Sequence, residues 1–196
     1  MLKDFSLNKT YQFLLIILAF LMPLTVFGAN LIIVIISLLW LFSGNYNLKY
    51  SYVRKNKVLI ASILFYGVHI IGMFWTEDIE WGLEILHKMW YFLLLFPVLC
   101  NIVKKDYIKH YISAFLLAIS ITEVTSYLVW FQLIEPFKYA TINNPTPFMS
   151  HVSYNPILAI AIYIVLHLIL FDKNISRLKF FYLSFFSITM TINMFI

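Results

Sequence analysis

From Thr10 to Leu48 the chain carries no charged residue. One helix crossing the roughly 30 Å hydrocarbon core of a bilayer uses about 20 residues, so this stretch is too long for one span and suits two. Pro23, Gly28 and Asn30 mark the break between them. The expectation is a first span from Tyr11 to Phe27 and a second from Ala29 to Phe42, joined by a tight turn. The apolar run continues past Gly28, which fits an uncleaved first helix better than a signal peptide. Further apolar stretches place spans at Val58–Trp75, Ile85–Val103, Tyr111–Leu133 and Ser153–Phe171, and a seventh begins near Phe180 and runs to the end of the sequence.

A chain that is 62% hydrophobic and 12% charged holds more apolar surface than one water-soluble core of this size can hide, so lipid is its solvent. The predicted fold is all-α, a polytopic transmembrane helical bundle of about seven spans that forms a single transmembrane domain over residues 1–196. Cys100 is the one cysteine, which excludes an intrachain disulfide and a thiolate metal set. The five histidines are scattered, and neither a metal site nor a cofactor motif is expected.

The net charge of +5 reads as a topology signal and not as a nucleic-acid footprint, because the basic residues fall in short clusters between apolar runs. With the N-terminus cytoplasmic, every Lys and Arg except Lys88 and Lys138 lies on the cytoplasmic side. The outer segment after the third span is acidic instead, with Glu77, Asp78, Glu80 and Glu84. Trp75, Trp81 and Trp130 fall at the outer interface and Tyr50, Tyr52, Tyr107 and Tyr111 at the inner one, where amphipathic rings are favoured.

Three residues stand out as candidate binding groups. Glu123 sits near the middle of the fifth span, where a carboxyl is costly unless it faces protein or water. Ser113, Ser120 and Tyr127 share its helical face. Counting about 1.5 Å of rise per residue brings His69, Glu123 and Asn193 to similar depths, making His69 or Asn193 its expected neighbour. Lys88 is the only cation embedded at the outer end of a span, beside His87, and a phosphate is its natural ligand. Its competing role is an ion pair with Glu84 four residues earlier. His151, at the mouth of the sixth span, either hydrogen-bonds a sugar or phosphate or caps the following helix with Ser150 and Ser153. Lys138, on the flexible Pro- and Asn-rich outer segment before it, is expected to matter less than Lys88.

The first hairpin Leu-Ala-Phe-Leu-Met-Pro-Leu-Thr-Val-Phe-Gly-Ala-Asn, the Lys88 helix after an acidic outer segment, and Pro147-Phe-Met-Ser-His-Val-Ser-Tyr-Asn-Pro-Ile-Leu-Ala159 together resemble the amino-terminal half of the O-antigen ligase family, which includes the O-antigen polymerases. The resemblance implies a bacterial inner-membrane, multi-pass enzyme that moves a glycan from an undecaprenyl-pyrophosphate carrier to lipid A-core on the periplasmic side, with no metal or cofactor. It also implies that these residues are the N-terminal part of a longer protein, since the family's Gly-Arg helix and its periplasmic loop with arginine and histidine lie further on. No catalytic residue carries over. The expected substrate-binding residues are Lys88, His151 and Glu123, and the expected partners are membrane lipid, the lipid-linked glycan and lipid A-core. The alternatives are an O-antigen polymerase, a proton- or ion-coupled transporter using Glu123 and His69, and a non-catalytic membrane subunit.

Overall fold

The computed structural model describes the backbone of residues 2–141, 143–172 and 175–196, and the side chains of the same ranges from Leu7 onward. Lys173, counted above among the cytoplasmic charges, lies outside the described residues, as does the side chain of Lys3. The described chain is helical, with one isolated bridge between Thr141 and Asn144 and no strand. Its α-helices are α1 (Leu2–Leu21), α2 (Val26–Phe42), α3 (Tyr46–Lys55), α4 (Lys57–Gly72), α5 (Ile79–Met89), α6 (Leu95–Ile102), α7 (Ile108–Trp130), α8 (His151–Phe171) and α9 (Arg177–Asn193).

Among the described residues, four stretches are long and apolar enough to cross a membrane: Lys57–Trp75, Ile79–Ile102, Lys105–Trp130 and His151–Phe171. A fifth is added if α2 and α3, bent by 113° from one another, count as one crossing. The apolar part of α1, Leu7–Leu21, and the 17 residues of α9 are shorter than the roughly 20 that a perpendicular span uses. Phe13, Leu64, Val68 and Tyr163 are each more than 60% exposed; such an outer surface suits lipid contact.

Local chemistry sets the boundaries. The break between the first two helices comes at Pro23: α1 ends at Leu21, and the Thr25 hydroxyl accepts from the Gly28 amide at 3.3 Å to cap α2. Gly28, expected between the two spans, lies inside α2 instead. Gly28 is there for close approach, because a Cβ would stand 2.7 Å from the Thr25 methyl. Gly44 and Asn45 take positive φ of 73° and 55°, the left-handed geometry that stops α2 and turns the chain into α3. The Asn56 side chain then caps α4 through the Val58 and Leu59 amides, and the Asp78 carboxylate caps α5 through the Trp81 amide at 2.9 Å.

The chain packs as two compact units, Met1–Leu14 with Leu31–Tyr107 and Leu15–Asn30 with Ile108–Ile196. In the first, α4 packs against α3, α5 and α6. The fourth expected span begins earlier than predicted, at Ile79, and is broken by a 3₁₀ turn at Trp90–Phe92. Broken helices leave carbonyls without intrahelical donors, and lipid supplies none. Side chains do so here: Ser62 donates to the Phe92 carbonyl at 2.7 Å, Tyr52 to Cys100 at 2.8 Å, and the Gln12 amide to Ile102 at 2.9 Å.

The second unit is built on α7, α8 and α9, which run in alternating directions. Thr122 and Ser126 on α7 meet Tyr154 near the start of α8 and Asn193 at the end of α9. Its core is Phe115 and Ile119 from α7, Tyr154, Leu158, Ala161 and Val165 from α8, and Leu183, Phe186 and Met190 from α9. The three- and four-residue spacing places each set on one helical face. Small residues at fully buried positions, Ala118 and Ala161, let the backbones approach closely.

Candidate functional site

Glu123 lies on the buried face of α7 with Phe115, Ala118, Ile119, Thr122, Ser126 and Val129. It is only 4% exposed, so its carboxyl faces protein and not lipid. Thr189 of α9 hydrogen-bonds it, and Tyr127 and Tyr154 lie nearby. One turn further along α7, Ser126 accepts from the Asn193 amide at 3.0 Å, and Tyr127 donates to the Thr189 carbonyl at 2.7 Å. Asn193 is thus on the helix interface that holds Glu123. His69 belongs to the other unit, is half-buried, and has its Nδ1 on the Phe65 carbonyl at 2.8 Å.

The polar face predicted around Glu123 is differently composed. Ser113 is exposed and Ser120 donates to its own helix at Leu116; the buried polar residues are Thr122 and Ser126. Thr122 pairs with the Tyr154 hydroxyl at 3.0 Å. Sequence reasoning passed over Thr122, Ser126, Tyr154, Asn155 and Thr189. The i+3 position of Ser126 from Glu123 and the i+4 position of Asn155 from His151 were the available signals.

His151 opens α8. Its Nε2 accepts from the Asn155 amide at 2.9 Å, which leaves Nδ1 to carry the proton of the neutral ring. The Ser150 side chain makes no cap bond to the helix and pairs with Ser153 at 3.1 Å instead. The same Asn155 amide reaches the Met194 carbonyl at 3.4 Å. Asn155 and the end of α9 therefore connect the His151 and Glu123 neighbourhoods within one unit. Asn155 uses both amide protons and Asn193 one of its two in these bonds, while Glu123 Oε1, Asn155 Oδ1 and Asn193 Oδ1 are buried without partners. Acceptor oxygens outnumber donors, so the cluster is equipped to hold a proton or accept a hydrogen bond.

Lys88 belongs to the first unit. On α5 it pairs with Glu84 Oε1 at 2.6 Å, with both side chains more than half exposed. A solvent-facing i,i+4 pair is weak, and only one of the three ammonium protons is engaged. Lys138, expected only on a flexible outer segment, has its Nζ 5.2 Å from the centroid of the Phe148 ring, which also meets Phe137 edge to face at 6.1 Å. Lys138, Tyr139 and Phe148, together with Thr25 and Phe27 from the α1–α2 turn, line a cavity of ≈ 440 Å³.

No family of proteins, curated protein or solved structure matches this chain. Its class rests on its own features: an all-helical chain with four or five helices able to cross a membrane, as in a membrane protein. Among the described residues no group of His, Cys, Asp or Glu is placed to hold a metal ion.

Proposed function

We propose that the chain is a multi-pass protein of the bacterial inner membrane, N-terminus cytoplasmic and about seven spans, that binds an undecaprenyl-pyrophosphate-linked glycan for transfer to lipid A-core in the manner of the O-antigen ligases. The observation that carries this reading is the cavity lined by Lys138, Tyr139 and Phe148. It lies at the end of its unit that the basic-residue partition makes periplasmic. Aromatic faces stack on sugar rings, and an ammonium pairs with a phosphate. Lys88, the other lysine on that side, offers two free donors for the same chemistry. The alternating directions of α7, α8 and α9 support the multi-pass topology, in which α1 and α9 cross as short spans.

The purified chain in detergent should bind undecaprenyl pyrophosphate in preference to undecaprenol, measured by tryptophan quenching or native mass spectrometry. Equal affinity for the two would mean that no phosphate is recognised and would remove the reading. The excess of buried acceptors around Glu123 favours one alternative, a proton-coupled transporter. Proton flux through reconstituted vesicles that Glu123→Gln abolishes would establish it.

A further inference from the structure

Lys49 on α3 is 8% exposed and has no carboxylate partner among the described residues. Its ammonium donates to the Trp40 carbonyl and lies over two rings, 4.5 Å from the Trp40 centroid and 5.0 Å from that of Tyr46. A buried cation without a counter-ion is costly, and ring faces offset only part of that cost. The Tyr11 hydroxyl of α1 is also buried and makes no hydrogen bond. Asn101 near the end of α6 accepts from the Trp40 indole at 3.2 Å through its oxygen, which leaves its amide protons free. These three groups line one cavity of ≈ 430 Å³ within the first unit, together with Asn8, Tyr52 and Trp40.

The lining differs from the surroundings of Glu123, because its one charge is positive and Lys49, Tyr11 and Asn101 each bring a donor. An anion is the ligand that donors of this kind take. Of the elements that build the cavity, α3 carries Arg54 and Lys55, and Lys104 and Lys105 follow α6 in sequence; basic pockets between helices receive lipid phosphates. We propose that this cavity binds the phosphodiester headgroup of an anionic phospholipid, with Lys49, Tyr11 and Asn101 as its ligands. The lipid acyl chains then lie along the exposed apolar residues of the same unit, which a free phosphate cannot do. The site is separate from the Lys138 cavity and requires no glycan substrate.

Native mass spectrometry of the purified chain, titrated with phosphatidylglycerol or phosphatidylcholine in the same detergent, tests the site. The unaltered chain should bind phosphatidylglycerol more tightly. Tyr11→Phe, which removes one oxygen and keeps the ring, should weaken it about tenfold, as loss of one hydrogen bond to a charged group does. Lys49→Gln should lower it at least as much while leaving phosphatidylcholine binding unchanged, and an unaltered helical circular-dichroism spectrum will show that both variants fold. Equal affinity for the two lipids, or retention of the preference in both variants, would overturn the proposal. Displacement of the lipid by inorganic phosphate alone would overturn the lipid assignment in favour of a soluble anion.

Discussion

Lys88→Ala is expected to weaken binding of undecaprenyl pyrophosphate by about ten- to hundredfold, the cost of losing a charge-assisted hydrogen bond to phosphate at a partly desolvated site. The Glu84 pair does not prevent this. Both partners are exposed and the carboxylate takes a single proton of the ammonium, whereas a pyrophosphate carries more charge and more acceptor oxygens. Lys88→Arg should keep most of the affinity, because the guanidinium also donates to phosphate. Lys138→Ala should lower affinity as well, since its side chain lines the aromatic cavity. The appropriate control is Lys179→Ala: this lysine is tied to Asp172 at 2.9 Å, at the end of α9 assigned to the cytoplasm. An affinity unchanged by Lys88→Ala and Lys138→Ala together would leave neither lysine with a role in carrier binding.

The largest effect on stability is expected at Ala161. This residue has no exposed surface and belongs to the buried row of α8, the helix that packs most extensively against α9. Without a hydrophobic driving force between helices in lipid, close packing holds them together, and small residues make it possible. Ala161→Leu adds three carbons where there is no room and should cost about 3 kcal/mol, the upper end for overpacking a tight core. Phe185→Leu, on the 66% exposed side of α9, should stay within about 0.5 kcal/mol. Denaturant titration of both variants in mixed micelles reads the difference. Equal stability would mean that the α8–α9 contact does not hold the second unit together.

The helical class and most helix positions were legible in the sequence because hydropathy and length constrain a chain in lipid so strongly. The third, fifth and sixth expected spans lie within a few residues of Lys57–Trp75, Lys105–Trp130 and His151–Phe171. Where the reading missed, a local hydrogen bond outweighed a composition cue. Gly28 was taken as a helix breaker, yet the Thr25 cap absorbs it into α2. The second span was ended at Phe42, where α2 ends, but α3 was not foreseen, because it follows from the left-handed turn at Gly44 and Asn45. The burial of Glu123 followed from its depth alone. Depth also allowed Asn193 as a neighbour, but not Thr189, because it comes from a helix more than sixty residues away and only packing reveals which face of α9 meets α7. Lys138 was read from the prolines and asparagines around it, which indicate a loop but not that Phe148 folds back beneath its ammonium.

The central claim is a multi-pass membrane protein with its basic segments in the cytoplasm. It is tested most directly by single cysteines at Asn143 and Lys55 in a Cys100→Ser background, both exposed in the structure, with an impermeant thiol reagent applied to intact cells whose outer membrane has been made permeable. The account predicts labelling at position 143 and none at position 55 until the inner membrane is broken. Labelling at position 55 and not at 143 would invert the topology and contradict it.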